Sequence, residues 1–73
     1  MRSPRTPRQR EWLIRIAWRE AMDEHSVPVR TLRALLLGGW VILTWGHLVR
    51  VTNMGHGWVA AWRDGEKTIG GAG

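Results

Sequence analysis

The residues with the clearest chemical meaning are Arg30, Arg33 and Arg50, the cations of a stretch from Ser26 to Trp62 that holds no Asp or Glu. Guanidinium groups on a surface free of carboxylates suit contact with phosphates, because each carboxylate would repel that backbone. Residues 1–10 add four Arg (Arg2, Arg5, Arg8, Arg10) and no acid, whereas residues 11–25 set two Arg against Glu11, Glu20, Asp23 and Glu24. The net charge of +5 is therefore concentrated in two segments and points to a polyanionic partner.

Other chemistries lack their residues. The chain has no Cys, which removes disulfides, thiolate metal sites and a Cys nucleophile and fits a reducing cytosol. His25, His47 and His56 form no i,i+4 pair and have no acidic ligand at metal spacing. Ser3 and Ser26 lack an identifiable base, and Gly55, Gly57, Gly70, Gly71 and Gly73 lack the context of a phosphate loop. An enzyme is thus not expected, nor a cofactor, a metal or a small-molecule substrate. The start, MRSPRTPRQREW, has no apolar stretch after its charges, so no secretory signal is expected and the expected location is the cytoplasm.

At 73 residues the chain allows one domain with a thin core, since a domain of this size buries only about 60% of its unfolded surface. Six Trp, with no Phe or Tyr, are many for one small core. Because a buried indole N–H needs a partner, some of them belong at the surface or in an interface.

The cations need elements to hold them. Residues 1–8 carry two Pro and three Arg without periodicity and are expected as a disordered basic arm, ahead of a domain over 9–65. A first helix is expected from about Pro7 to His25, with Leu13, Ile16, Ala17 and Ala21 inward. Glu20, Asp23 and Glu24 sit at its negative dipole end, which predicts fraying there. Ser26-Val27-Pro28 reads as a fresh start with Ser26 as N-cap, and Gly38-Gly39 as the end of that second helix. Val29, Leu32, Leu35 and Leu36 are expected on its inner side, with Arg30, Arg33 and Leu37 outward. Val41–Thr44 and Leu48–Thr52 flank Trp45-Gly46 and read as a β-hairpin. Thr52 then caps a last helix that Gly65 ends, leaving 66–73 as a flexible tail.

The string TLRALLLGGWV, a hairpin ending VRVT, and then NMGHGW together resemble the winged-helix DNA-binding domains of bacterial and phage regulators. In that family a recognition helix leads through Gly into a two-stranded wing, which closes on a Thr-x-x-Gly segment opening the next helix. Leu35, Gly39, Trp40, Val41, Val49, Val51, Thr52 and Gly55 match those positions, and the likeness covers 37 residues, half the chain. It implies an α+β winged helix: a long N-terminal helix, a recognition helix, a two-stranded wing and a closing helix. It also implies that Arg30, Thr31 and Arg33 face the major groove, where Arg can donate two hydrogen bonds to guanine O6 and N7. Trp45, Gly46 and His47 would be the wing tip on backbone or minor groove, with Arg50 on phosphate near its base. Arg2, Arg5 and Arg8 would lie along the DNA from the arm.

The chain departs from the family twice. The usual helix between the first and the recognition helix finds no room between His25 and Pro28, unless the first helix breaks near Arg19. The positions after Leu35, commonly charged, are Leu36, Leu37 and Gly38. Outward apolar side chains on a small domain mark an interface, so Leu36 and Leu37 are expected in a homodimer that would suit a palindromic site. The expected function is sequence-specific duplex DNA binding by a small transcriptional regulator of phage or prokaryotic type. Two alternatives compete. Ala34 to Val49 is a run of sixteen residues without formal charge that could lie in a bilayer, although spanning one takes about 20. The same scaffold could instead serve as an adaptor for a host protein.

Overall fold

The computed structural model describes residues 3–72, with side chains described over 3–65. The chain is α+β, with three helices and one three-stranded antiparallel sheet.

Helix α1 spans Pro7–Arg19. Thr6 caps it, its hydroxyl accepting from Gln9 N–H at 3.2 Å, and Pro7 supplies a first-turn residue that needs no N–H partner. The expected arm over 1–8 therefore ends earlier: Pro7 and Arg8 are helical and Pro4 is buried, while Arg2 lies outside the described residues. Leu13 and Ile16, one turn apart, are fully buried. The helix ends at Arg19 rather than His25, because Glu20 turns to φ +65° and its N–H bonds the Ala17 carbonyl. The chain released there forms β1, Met22–Asp23, which pairs with Val49 and Leu48. Sheet pairing and burial of Met22 outweigh the helical periodicity that would have carried α1 onward.

A 3₁₀ turn, Glu24–Ser26, follows, with Asp23 Oδ1 accepting from His25 N–H at 2.7 Å. Helix α2 is Val29–Leu37. Its cap position is Pro28, without a side-chain bond, rather than Ser26. The helix ends as Gly-Gly suggested: Gly39 takes φ +79°, its N–H reaches the Leu36 carbonyl at 3.1 Å, and Trp40 N–H reaches the Leu35 carbonyl at 3.0 Å. These are the two bonds of a Schellman cap, and the buried Leu35 and Trp40 side chains supply the apolar positions that commonly accompany it.

Strands β2 (Val41–Thr44) and β3 (Leu48–Val51) form the hairpin where it was expected. The sheet order is β1-β3-β2, with Val41 opposite Val51 and Leu43 opposite Val49. Val41, Val49, Val51 and Met22 line the inner face and join Leu13, Ile16, Leu35 and Trp40 in the core. Ile42 and Arg50, opposite each other, lie on the outer face.

Thr52 fastens the hairpin to helix α3, Asn53–Ala72. Its N–H donates to the Trp40 carbonyl at 3.0 Å, and its hydroxyl lies 2.6 Å from the Gly39 carbonyl and 3.1 Å from that of Trp40. The same oxygen accepts from Gly55 N–H at 3.2 Å, as an N-cap does. A Cβ on Gly55 would overlap the Trp40 carbonyl oxygen and the Val51 side chain, so only Gly lets the helix come this close. The Thr-x-x-Gly segment is thus a latch between helix end, hairpin base and last helix. Helix α3 does not stop at Gly65; its backbone stays helical to Ala72, so the expected tail begins as helix.

Candidate nucleic-acid interface

Helix α2 is turned about its axis relative to the sequence expectation. Fully buried Leu35 sets its deepest line, and Thr31, one turn earlier on that line, is only 6% exposed. Thr31 is therefore a packing residue and cannot face a groove. Val29, expected inward, is 73% exposed. Leu36 is half-buried against the core and only Leu37, 86% exposed, projects freely. The outward face is thus Val29, Arg30, Arg33 and Leu37, with Arg33 three and four residues from Arg30 and Val29 and four from Leu37.

Arg30 and Arg33 are exposed, and among the described residues no ion pair engages either of them or Arg50. The Glu11–Arg15 pair at 3.5 Å lies within α1. Both guanidinium groups of α2 therefore keep all their donors available. Arg5 is exposed as well, and it lines with Gln9, Ala34 and Leu37 a groove between the start of α1 and the end of α2. Arg8, in the first turn of α1, is exposed.

At the hairpin tip Trp45 and Gly46 take φ +54° and +75°, the φ signs of a type I′ turn, and His47 N–H donates to the Thr44 carbonyl at 3.3 Å. Thr44 Oγ1 donates to the Leu48 carbonyl at 3.2 Å across the strands. Trp45 and His47 point into solvent. Arg50 lies on the open face of the sheet.

The neighbours of that tip come from a distant part of the chain. Pairing of β1 with β3 brings Asp23 opposite Leu48, and Glu24 N–H donates to the His47 carbonyl at 2.8 Å. The acid-free stretch is therefore not acid-free in space. The Glu24 side chain is 25% exposed, and its Oε1 stands 3.6 Å from His25 Nε2 and 3.9 Å from His47 Nδ1, contacts that offset its charge only when those imidazoles are protonated. Glu24 and His25 also line a groove with Arg33 and Leu36. The 3₁₀ turn thus bridges the Arg33 side of α2 and the hairpin tip. No sequence signal marked this bridge, because it depends on strand pairing.

Two stacked cation–aromatic pairs were also missed, Arg15 over Trp12 at 5.1 Å and Arg63 over Trp18 at 5.0 Å. Among the described residues no group of three or more His, Asp or Glu is placed to hold a metal ion. Residues 34–49 are not a single helix but the end of α2, the Gly-Gly cap and most of the hairpin. No helix among the described residues is long and apolar enough to cross a membrane. Comparison with protein-family models, curated proteins and solved structures finds no match to this chain.

Proposed function

We propose that this protein binds duplex DNA with α2 in the major groove and the β2–β3 hairpin against the flanking backbone or minor groove. The observation that carries the reading is the outward face of α2, where Arg30 and Arg33 stand exposed and unpaired on a helix that has no carboxylate. Three residues along a helix rise roughly 4.5 Å, and one base pair roughly 3.4 Å. The two guanidinium groups can therefore address neighbouring base pairs, or one base and one phosphate.

The order of elements supports the same reading. A helix, a short strand, a turn, a second helix and a hairpin, with sheet order β1-β3-β2, is compatible with a winged helix whose middle helix has shrunk to the 3₁₀ turn Glu24–Ser26. Regulation would act by occupying or presenting a promoter site.

Titration of a labelled random duplex by fluorescence anisotropy at several salt concentrations tests this. The logarithm of the affinity should fall with the logarithm of salt by roughly 0.9 for each phosphate neutralised. Wild-type binding that ignores salt, or no binding at low salt, would exclude the reading.

Val29 and Leu37, exposed on either side of Arg33, favour a second reading in which the same face holds a protein. A second copy of the chain, packed through Leu37, would retain DNA binding on paired half-sites, whereas a host factor would replace it. A measured mass of the free protein, with and without Leu37→Glu, separates these cases.

A further inference from the structure

Trp45 occupies a place that neither local conformation nor packing explains. Its φ of +54° is in the left-handed region, which a bulky side chain rarely adopts, and its side chain is 89% exposed. Asn or Gly would form the same turn without that strain. Four of the other five indoles have ring or cation partners within the fold: Trp40 meets Trp58, Trp12 lies under Arg15, and Trp18 under Arg63; the fifth, Trp62, is 40% exposed, less than half the exposure of Trp45. Among the described residues nothing stacks on Trp45. Strain and exposure without an intramolecular contact point to a contact between molecules.

The tip that carries this indole is braced. Thr44 Oγ1 ties across to Leu48, His47 N–H closes the turn on Thr44, and the His47 carbonyl accepts from Glu24 in the 3₁₀ turn. Through that turn the tip is joined to the Arg33 side of α2. The ring is flanked in sequence by Thr44, Gly46 and His47, with Leu43 and Leu48 partly exposed on the strands below it, and space around Gly46 is open. A single aromatic ring on a narrow arm suits a narrow slot better than a flat apolar surface. The chemistry that offers such a slot beside a helix-filled major groove is a base step opened from the minor groove.

We infer that Trp45 is a wedge that inserts between two base pairs while α2 occupies the adjacent major groove. The inference rests on the duplex-binding reading above and adds a specificity determinant to it. Unstacking is easiest at pyrimidine–purine steps, so the hairpin selects sites with a TA or CA step beside the sequence read by α2. Selection comes from the deformability of the step, not from hydrogen bonds to its edges.

The test compares wild type, Trp45→Gly and Trp45→Phe on duplexes with a TA or an AA step at the wing position, a 2-aminopurine at that step and dyes at the ends. Gly relieves the turn, so Trp45→Gly should keep or raise the melting temperature. It should bind the TA duplex about tenfold or more weakly, in line with the loss of one stacked base. Wild type should brighten the 2-aminopurine and bend the duplex by roughly 20–90°, Trp45→Phe should do so in part, and Trp45→Gly should do neither. Equal affinity and bending by Trp45→Gly would overturn the wedge while leaving duplex binding through α2 intact. A lower melting temperature for Trp45→Gly would place Trp45 in the fold's own packing and overturn it too. If wild type binds no duplex at low salt, the duplex-binding reading falls, and the wedge with it.

Discussion

The indoles of Trp40 and Trp58 meet edge to face, with ring centroids 6.4 Å apart and planes at 69°. Trp40 follows the end of α2 and opens the hairpin, and Trp58 lies in the second turn of α3, so this one contact joins three elements. Edge-to-face geometry sets the positive rim of one ring against the negative face of the other, which adds about 0.5–1.5 kcal/mol to area burial. Trp58→Leu should therefore destabilise the fold by about 2 kcal/mol, and Trp58→Phe by less, because it retains an aromatic edge. Urea denaturation followed by circular dichroism measures both. Equal losses for Leu and Phe would remove the aromatic term.

Two glycines two residues apart in α3 should behave oppositely. Gly55 abuts the Trp40 carbonyl oxygen and Val51, whereas a Cβ on Gly57 would meet nothing within 4 Å. Gly57→Ala should stabilise α3 by about 0.5–1 kcal/mol through backbone entropy. Gly55→Ala should destabilise by about 2 kcal/mol or more, since backbone must shift to admit the methyl group. Melting temperatures that move in the same direction would mean that α3 does not pack on the hairpin base as described.

Loss of the Thr52 hydroxyl removes a helix cap and the bond to the Gly39 or Trp40 carbonyl together. Thr52→Val keeps the shape of the side chain and should cost about 1–2 kcal/mol. Thr52→Ser should recover most of that, as its hydroxyl can take the same place. Hydrogen exchange at Gly55 N–H, which the hydroxyl accepts, should quicken in Thr52→Val and not in Thr52→Ser.

The rotation of α2 separates its residues by readout. Arg30→Ala and Arg33→Ala should each cost about 1–3 kcal/mol in binding to a preferred duplex and relax its base preference, with little change in melting temperature. Thr31→Val, at a buried position, should leave binding unchanged. Unaltered binding by the Arg30→Ala, Arg33→Ala double variant would remove α2 from the interface.

Signals confined to a few residues were read directly from the sequence. The hairpin of Val41–Thr44 and Leu48–Val51 about Trp45-Gly46, the stop at Gly39 and the cap at Thr52 all lie where turn and capping residues put them. These signals act within one or two turns of chain, so no distant partner is needed to express them. Features set by a distant partner were not legible. Strand β1 exists because β3 offers an edge to Met22 and Asp23, and its pairing outweighs the helix-like periodicity of Ala21 and Met22. The inward side of α2 is not fixed by the sequence, since Leu32 and Leu36 alone allow either Val29 or Thr31 to join them. Contact with α1 and the sheet selected Thr31.

The acid-free run from Ser26 to Trp62, with its arginines, was determined by the sequence alone, because formal charge is local to each residue. Tertiary structure decided what that run presents. It left Arg30 and Arg33 exposed and unpaired, took Thr31 into the core, and brought Asp23 and Glu24 beside the hairpin through strand pairing. The physical reason is range: charge and capping belong to a residue and its near neighbours, whereas the faces that meet solvent follow from how helices and strands share one core.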